Sequence, residues 1–298
     1  MPELPDLTIY LDALRARLVG HTLRSVRVHG IALLRSYDPP ISEAQGREVT
    51  GIGRIGKRVV LDLAGDLHLV IHLMIAGRFR WLQPDKKPPG RITQATFSFD
   101  HGTLVLTEAG KKRRATLHLV RAEELRVHDR GGVEPLGISL AEFRAAITRE
   151  NRTLKRALTD PRFLAAIGNS YSDEILHRAG LSPVKRTGQL KPPEVQRLHA
   201  ATQEVLTEWI DRLREQTGDT FPKKVTAFRP EMAVHGRYGK PCPACGGNVQ
   251  RIVFAERETN YCPACQTSGK LLRDRALSQL LRKDWPRTLE ELENRRRS

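Results

Sequence analysis

Met1-Pro2-Glu3-Leu4-Pro5-Asp6 opens the chain, and near its other end stand two knuckles, Cys242-Pro243-Ala244-Cys245 and Cys262-Pro263-Ala264-Cys265. Sixteen residues separate the knuckles. Two Cys-x-x-Cys pairs at that separation match a tetrahedral four-thiolate zinc site, and with all four positions taken by cysteine none is open for metal catalysis. One structural Zn2+ is therefore expected on Cys242, Cys245, Cys262 and Cys265. These are the only 4 cysteines, so there is no disulfide framework, and a reducing compartment suits them.

The opening hexapeptide poses a chemical question. Removal of Met1, which a small second residue such as proline permits, leaves Pro2 as a secondary amine at the head of the chain. An α-amino group titrates near ~7.7–8.0, against ~10.4 for lysine, so at neutral pH a useful fraction is unprotonated without special tuning. Such an amine attacks an aldehyde-like carbon and holds it as an iminium. Glu3 places a carboxyl group beside it to give or take a proton. The same residues also read as a plain N-terminal turn in which Pro5-Asp6 starts a helix. The hexapeptide alone does not decide between the two.

At 298 residues, 39% hydrophobic and 28% charged, the chain has the length of a two-domain globular protein. No run approaches the ~18 apolar residues of a membrane span, and the acidic, proline-containing start lacks the features of a signal peptide. A cytoplasmic protein, nucleoid-associated in a bacterium, is expected, with no membrane partner. Lys+Arg 50 against Asp+Glu 34 leaves a net charge of +16. That is the electrostatic footprint of a nucleic-acid binder, although charge alone does not separate a functional binder from a generally basic protein.

Leucines 7, 11, 14 and 18 repeat at helical spacing and predict a helix from Leu7 to Val19, stopped by Gly20. Short β-type runs follow: Thr22 to Val28, Arg58 to Leu63, Leu67 to Leu73, Phe79 to Trp81, Thr96 to Asp100 and Thr103 to Thr107, with Asp100-His101-Gly102 as a hairpin turn. Their number and spacing predict a sandwich or barrel over roughly the first 130 residues. Beyond it, Ser139-Leu140-Ala141-Glu142 is a capping box opening a helix to Ile147. Helices are also expected at Thr153 to Leu158 and Tyr171 to Arg178. A long one starts at Pro193, with Val195, Leu198, Thr202, Val205, Trp209 and Leu213 as its apolar stripe.

Gly218 to Lys240, rich in glycine, proline and basic residues, reads either as a mobile nucleic-acid clamp or as a solvated connection. Asn248 to Phe254 and Asn260-Tyr261 suggest a hairpin between the knuckles, its tip carrying Glu256-Arg257-Glu258. After Cys265 the chain runs through Leu271-Leu272, Leu277 and Leu280-Leu281 to Trp285. A last short helix capped at Thr288 follows, and no function is legible there.

Four matches in order carry a resemblance. They are Pro2-Glu3-Leu4-Pro5, Gly56-Lys57 leading a strand, Ile167-Gly168-Asn169-Ser170-Tyr171-Ser172-Asp173-Glu174 followed by Ala179-Gly180-Leu181-Ser182-Pro183, and the cysteine knuckles with Arg257 and Gln266. Together they make the chain resemble the formamidopyrimidine-DNA glycosylase/endonuclease VIII family. The resemblance implies an α+β fold: an N-terminal β-sandwich with an N-terminal helix, then a helical helix-two-turn-helix domain with a four-cysteine zinc finger. Boundaries are expected at 1–130, 131–234 with the basic loop, 235–268 for the finger, and 269–298 for an extension.

It implies a bifunctional DNA glycosylase and abasic-site lyase of base-excision repair. The partner would be double-stranded DNA containing damaged bases or abasic sites, and the enzyme a monomer. Pro2 would attack C1′ of the damaged nucleotide, and Glu3 would protonate the opening sugar ring oxygen. Lys57 would contact the phosphate beside the lesion and assist β-elimination. Asn169 and Arg257 would grip phosphates, with Arg257 also linked to δ-elimination, and Lys155 would stand near the damaged base.

Two departures from the family pattern concern the void left by an extruded base. His72-Leu73-Met74-Ile75-Ala76-Gly77 puts Ile75 where the family usually has methionine. The segment Glu108 to Thr116 offers Arg113 and Arg114 but no aromatic residue. Asp6 stands where glutamate is common. Oxidised purine and oxidised pyrimidine both remain open as substrates, and the alternative class is a zinc-finger DNA-binding protein without, or with weakened, catalysis.

Overall fold

The computed structural model describes residues 1–110, 112–254, 257–273 and 286–297. The chain divides into two compact units, one of Met1–Gly131 with Trp209–Ala227 and the other of Gly132–Glu208 with Phe228–Ser298.

The first unit begins with helix α1 (Leu4–Leu18), three residues ahead of the start predicted from leucine spacing. The extra turn forms because Pro5 lies in the first turn, where its missing N–H is no loss, and because the Asp6 carboxylate accepts the Glu3 N–H at 3.1 Å. Asp6, the departure from glutamate, thus acts as a helix-start acceptor. Leu7, Leu14 and Leu18 are fully buried, and Tyr10 meets Phe79 edge to face at 5.4 Å.

Eight strands follow: β1 (Ser25–Val28), β2 (Val49–Ile55), β3 (Arg58–Leu63), β4 (Leu67–His72), β5 (Gly77–Leu82), β6 (Thr93–Phe99), β7 (Gly102–Glu108) and β8 (Thr116–Arg121). They form two antiparallel sheets of four, ordered β1-β6-β7-β5 and β2-β3-β4-β8. The sandwich is therefore present, with the β6–β7 hairpin turning at Asp100-His101. Two of its strands escape sequence reading. β2 contains Gly51 and Gly53, which weaken any strand signal, and β8 alternates through Thr116 and His118 rather than through charged residues. The predicted strand from Thr22 is only Ser25–Val28, Thr22 itself making an isolated bridge to Glu48. Phe97, Leu104, Leu106, Leu61, Leu69 and Leu117 are fully buried in the sheets.

The second unit holds α3 (Leu140–Thr148), α4 (Leu154–Thr159) and α5 (Asn169–Arg178) after a short α2 (Ala122–Leu125) that belongs to the first unit. The Ser139 capping box forms as read, its hydroxyl accepting the Glu142 N–H at 3.3 Å. Helix α6 (Pro192–Thr217) contributes its first part to the second unit and its last part to the first. All six residues of its expected stripe are buried. Strands β9 (Gln250–Phe254) and β10 (Arg257–Tyr261) pair antiparallel as the hairpin between the knuckles, and α7 (Pro263–Thr267) carries Cys265.

Residues 218–240 hold no helix or strand, and parts of the stretch make specific contacts. Phe221 packs on Tyr10 at 5.9 Å, and Arg17 lies over the Phe221 ring. Further on, the buried Glu174 carboxylate accepts the N–H groups of Ala233, Val234 and His235 at 2.7–3.0 Å. Residues 274–285, with Ala255, Glu256, Lys111 and Ser298, lie outside the described residues, so the leucines at 277, 280 and 281 and the Glu256 part of the hairpin tip are not described. The last helix is Leu289–Arg297. No helix among the described residues is long and apolar enough to cross a membrane.

Core packing in the sandwich gives a direct test. Phe97, fully buried and paired with Val26 and Leu104, should cost about 3–5 kcal/mol when cut to alanine, read as a lower denaturant midpoint at unchanged slope. Ile31→Ala, at a wholly exposed site, should shift the midpoint by less than about 0.5 kcal/mol.

Candidate active site and metal centre

The head of the chain is buried. Pro2 and Glu3 are covered while Met1 is half-buried, because α1 starts at Leu4 and anchors its first turn in the core. Burial holds the terminal amino group of Met1 below its usual value; Glu3 and Asp6 oppose that shift, and Arg78 and Lys57 add to it. Two carboxylates and two cations thus act on one nitrogen. The start of the chain, Glu3 and Lys57 therefore share one neighbourhood.

Lys57 reaches that neighbourhood through a tight turn. Ile55 pairs with Arg58 across the β2–β3 hairpin, leaving Gly56-Lys57 as its two-residue loop, and Gly56 takes φ +54°. Glycine enters that left-handed region without a Cβ penalty, which puts the lysine at the hairpin tip. Two cationic or polar neighbours escaped the sequence reading. His72, opposite Arg58 on β4, is pushed down to about 4 by burial and then by Arg58 and Lys57, and its Nε2 has no hydrogen-bond partner among the described residues. A neutral imidazole with an unused ring nitrogen beside Lys57 is suited to a polar ligand. Arg78 donates to the carbonyls of Val225 at 2.6 Å, Gly77 at 2.6 Å and Ile75 at 3.0 Å, tying the Ile75 turn to the segment after α6. Neither role is legible in sequence, since both depend on strand register and on a contact across 147 residues.

Ile75 sits on a strained turn between β4 and β5. Met74 takes φ +52°, rare for a non-glycine residue, and a Cβ on Gly77 would lie 2.2 Å from the Leu73 oxygen. The turn leaves the Ile75 side chain 57% exposed. The segment of Arg113 and Arg114 lies beside it, because Gly77 pairs with Glu108 and a Cβ on Gly110 would touch Ala76 at 3.5 Å. The buried Glu108 carboxylate accepts the N–H groups of Arg114 and Ala115, while Arg113 donates to the Arg91 carbonyl. Both arginine side chains are exposed.

In the second unit Asn169 opens α5, and its side-chain amide donates to the Glu258 carbonyl of β10 at 2.8 Å. Lys155, only 12% exposed, donates to Asp173 at 2.6 Å and to the Asn169 carbonyl at 2.5 Å. Its ammonium keeps one further donor for a ligand. Asp173 also meets His235 Nδ1 at 2.8 Å, so one fully buried carboxylate joins α4, α5 and the approach to the knuckles. Arg257 is the first residue of β10, its backbone paired with Phe254.

The four cysteine sulfurs lie within 4.8 Å of one another, with Cys242–Cys265 at 3.9 Å and Cys245–Cys262 at 3.4 Å. Tetrahedral Zn–S bonds of about 2.3 Å place sulfurs about 3.8 Å apart, so the donor set fits one structural Zn2+. Gln266 fastens this centre to the helices, accepting the Cys262 N–H at 2.8 Å and donating to the Leu181 carbonyl at 2.9 Å.

Comparison with known proteins agrees along the chain. Residues 1–130 match the formamidopyrimidine-DNA glycosylase N-terminal domain, residues 132–220 its H2TH domain, and residues 239–267 the zinc finger found in FPG and IleRS. Formamidopyrimidine-DNA glycosylase of Heliobacterium modesticaldum is 37% identical over 281 residues, covering 89% of this chain and 100% of the relative. That of Thermus thermophilus is 36% identical, covering 90% and 100%. Two solved structures are similar over 89% of this chain. Lactococcus lactis Fpg with an abasic site containing DNA has a TM-score of 0.77 at 26% identity over 99% of its chain; the same protein with an oxidized pyrimidine containing DNA has 0.78 at 27% over 100%.

Metal removal and acid provide two checks. Elemental analysis is expected to find one zinc per chain, and Cys262→Ala should lose it together with the thermal stability of the finger; full zinc content in that variant would contradict the site. His72 and His118 both stay neutral in the folded chain down to about 4, whereas in the unfolded chain they protonate near 6.5. The unfolded state binds more protons in between, so stability should be full above about 6.5 and fall as pH drops toward 4. A double His72→Gln, His118→Gln variant should flatten the unfolding midpoint across that window.

Proposed function

We propose, from the premise that the chain belongs to the formamidopyrimidine-DNA glycosylase family and is a DNA glycosylase of base-excision repair, that it removes oxidised bases from duplex DNA through a Schiff base on Pro2 and then cleaves the strand as an abasic-site lyase. Loss of Met1 frees the Pro2 amine. That amine attacks C1′ of the damaged nucleotide, the glycosidic bond breaks and the base leaves with its electron pair. Glu3, buried beside the amine, protonates the sugar ring oxygen as the ring opens to an iminium. Loss of a C2′ proton then expels the 3′ phosphate by β-elimination.

The observation that supports this most is electrostatic. Burial, with Arg78 and Lys57 adding to it, lowers the proton affinity of the terminal amine of Met1, and the same surroundings favour the free-base form of a Pro2 amine once Met1 is removed, while Glu3 supplies the proton traffic. Lys57 and the neutral His72 are assigned to the phosphate beside the lesion. Asn169 and Arg257 are assigned to phosphates on the other unit, with Arg257 serving δ-elimination, and Lys155 to the damaged base. Strong anchors are required because the nucleotide must leave the base stack. Ile75 is assigned as the apolar wedge in the vacated space, and Arg113 or Arg114 as its polar partner toward the orphaned base. The zinc holds β9 and β10 rigid and takes no part in the chemistry.

Ring-opened purines, after which the relatives are named, are the favoured substrates. One chain supplies every assigned residue, in keeping with a monomer, and four cysteines held as metal ligands rather than in disulfides suit the cytoplasm. A purely binding role is not favoured, since the match covers the N-terminal domain as well as the finger.

Borohydride added during incubation with abasic-site DNA should trap a covalent complex, absent in Pro2→Gly and reduced at least about 100-fold in rate in Glu3→Gln. Absence of any trapped species from protein lacking Met1 would overturn the reading.

A further inference from the structure

Arg58 stands at the centre of a cluster of arginines and neutral imidazoles of which the reaction above uses only His72. It pairs with His72 across β3–β4, and His72 pairs in turn with Thr116 on β8. His118, two residues on, therefore shares the Arg58 face of the sheet. Arg58 donates to the His128 carbonyl at 3.3 Å, and the His118 and His128 rings meet edge to face at 4.7 Å. Arg130 acts on both Arg58 and His128, and Arg35 acts on His118. Against these six groups the one carboxylate among the described residues that acts on the cluster is Glu124, through His128.

Arg58 is half-buried and has no carboxylate partner among the described residues. A guanidinium carries five donors, and here one carbonyl receives one of them. Keeping a partly desolvated cation without a counter-charge is costly unless a ligand completes it. His72 feels both Arg58 and Lys57, so the cluster continues from the hairpin tip assigned to a DNA phosphate.

We propose that Arg58, His118, His128 and Arg130 form a second anion site on the first unit, which takes a further backbone phosphate of the DNA strand that Lys57 engages. The inference rests on the DNA reading above. A phosphodiester suits the site because the arginine fork matches two of its oxygens and a neutral imidazole adds a hydrogen bond without needing protonation. The contact reads no base, so it adds affinity and register rather than lesion preference.

The test uses the zinc-loaded full chain and a duplex with a reduced abasic-site analogue. The dissociation constant is measured against salt for wild type, Arg58→Ala, Arg58→Lys and Arg130→Ala, the last at an exposed side chain whose loss does not threaten folding. Each alanine variant should lower the salt slope by about one unit, and Arg58→Lys should recover most of it. Neutral methylphosphonates placed one phosphate at a time should reveal a position that weakens wild type but leaves Arg58→Ala indifferent. Unchanged slopes and an unchanged methylphosphonate profile in both alanine variants, with wild type still trapped by borohydride, would overturn this site alone. A wild type that fails to bind the duplex would overturn the repair reading beneath it.

Discussion

Everything at the proposed active site depends on how the chain's first turn is held. A terminal amine is normally the most mobile group of a protein, and catalysis by one requires that it be fixed. Here the fixing is done by helix formation at the earliest possible residue. Pro5 fits the first turn, the Asp6 carboxylate takes the Glu3 N–H, and Leu4, Leu7 and Leu14 sink into the core of the first unit. Pro2 and Glu3 are buried as a result, and the same burial lowers the proton affinity of the Met1 amine that precedes them. Position and reactivity come from one packing event.

The surrounding charges are placed with equally few elements. Lys57 and His72 are placed by one hairpin and its neighbouring strand, with Arg58 next to them, so sheet register sets their spacing. Arg78 links the Ile75 turn and the segment after α6 by hydrogen bonds to backbone carbonyls, which no change of side chain at those positions would remove. In the second unit, buried carboxylates do the corresponding work: Asp173 bridges Lys155 and His235, and Glu174 collects three backbone N–H groups. Burial raises the proton affinity of Glu174 while those three hydrogen bonds oppose it, so the clasp is tightest where the carboxylate stays charged.

Much of this was legible in the sequence, for physical reasons that differ by element. The four cysteines reveal their site because thiolate spacing is local and the chemistry permits few alternatives. The Ser139 capping box and the α6 stripe are legible because helix signals repeat within a few residues. Strands β2 and β8 were missed because their identity lies in partners far along the chain, and β2 carries two glycines that speak against a strand. In the stretch after α6, the contact of Phe221 with Tyr10 and the hydrogen bonds to Glu174 were not foreseen, because neither leaves a local mark in the sequence. His72, Arg78 and Arg58 were passed over for the same reason: among 50 lysines and arginines and 10 histidines, only three-dimensional neighbourhood distinguishes them.

The proposed chemistry turns on the identity of one nitrogen. Peptide mapping of the borohydride-reduced DNA adduct by mass spectrometry identifies the atom directly. The sugar remnant is expected on the N-terminal peptide, attached to Pro2 with Met1 absent. An adduct found instead on a lysine side chain, Lys57 being the nearest candidate in the sequence, would contradict it.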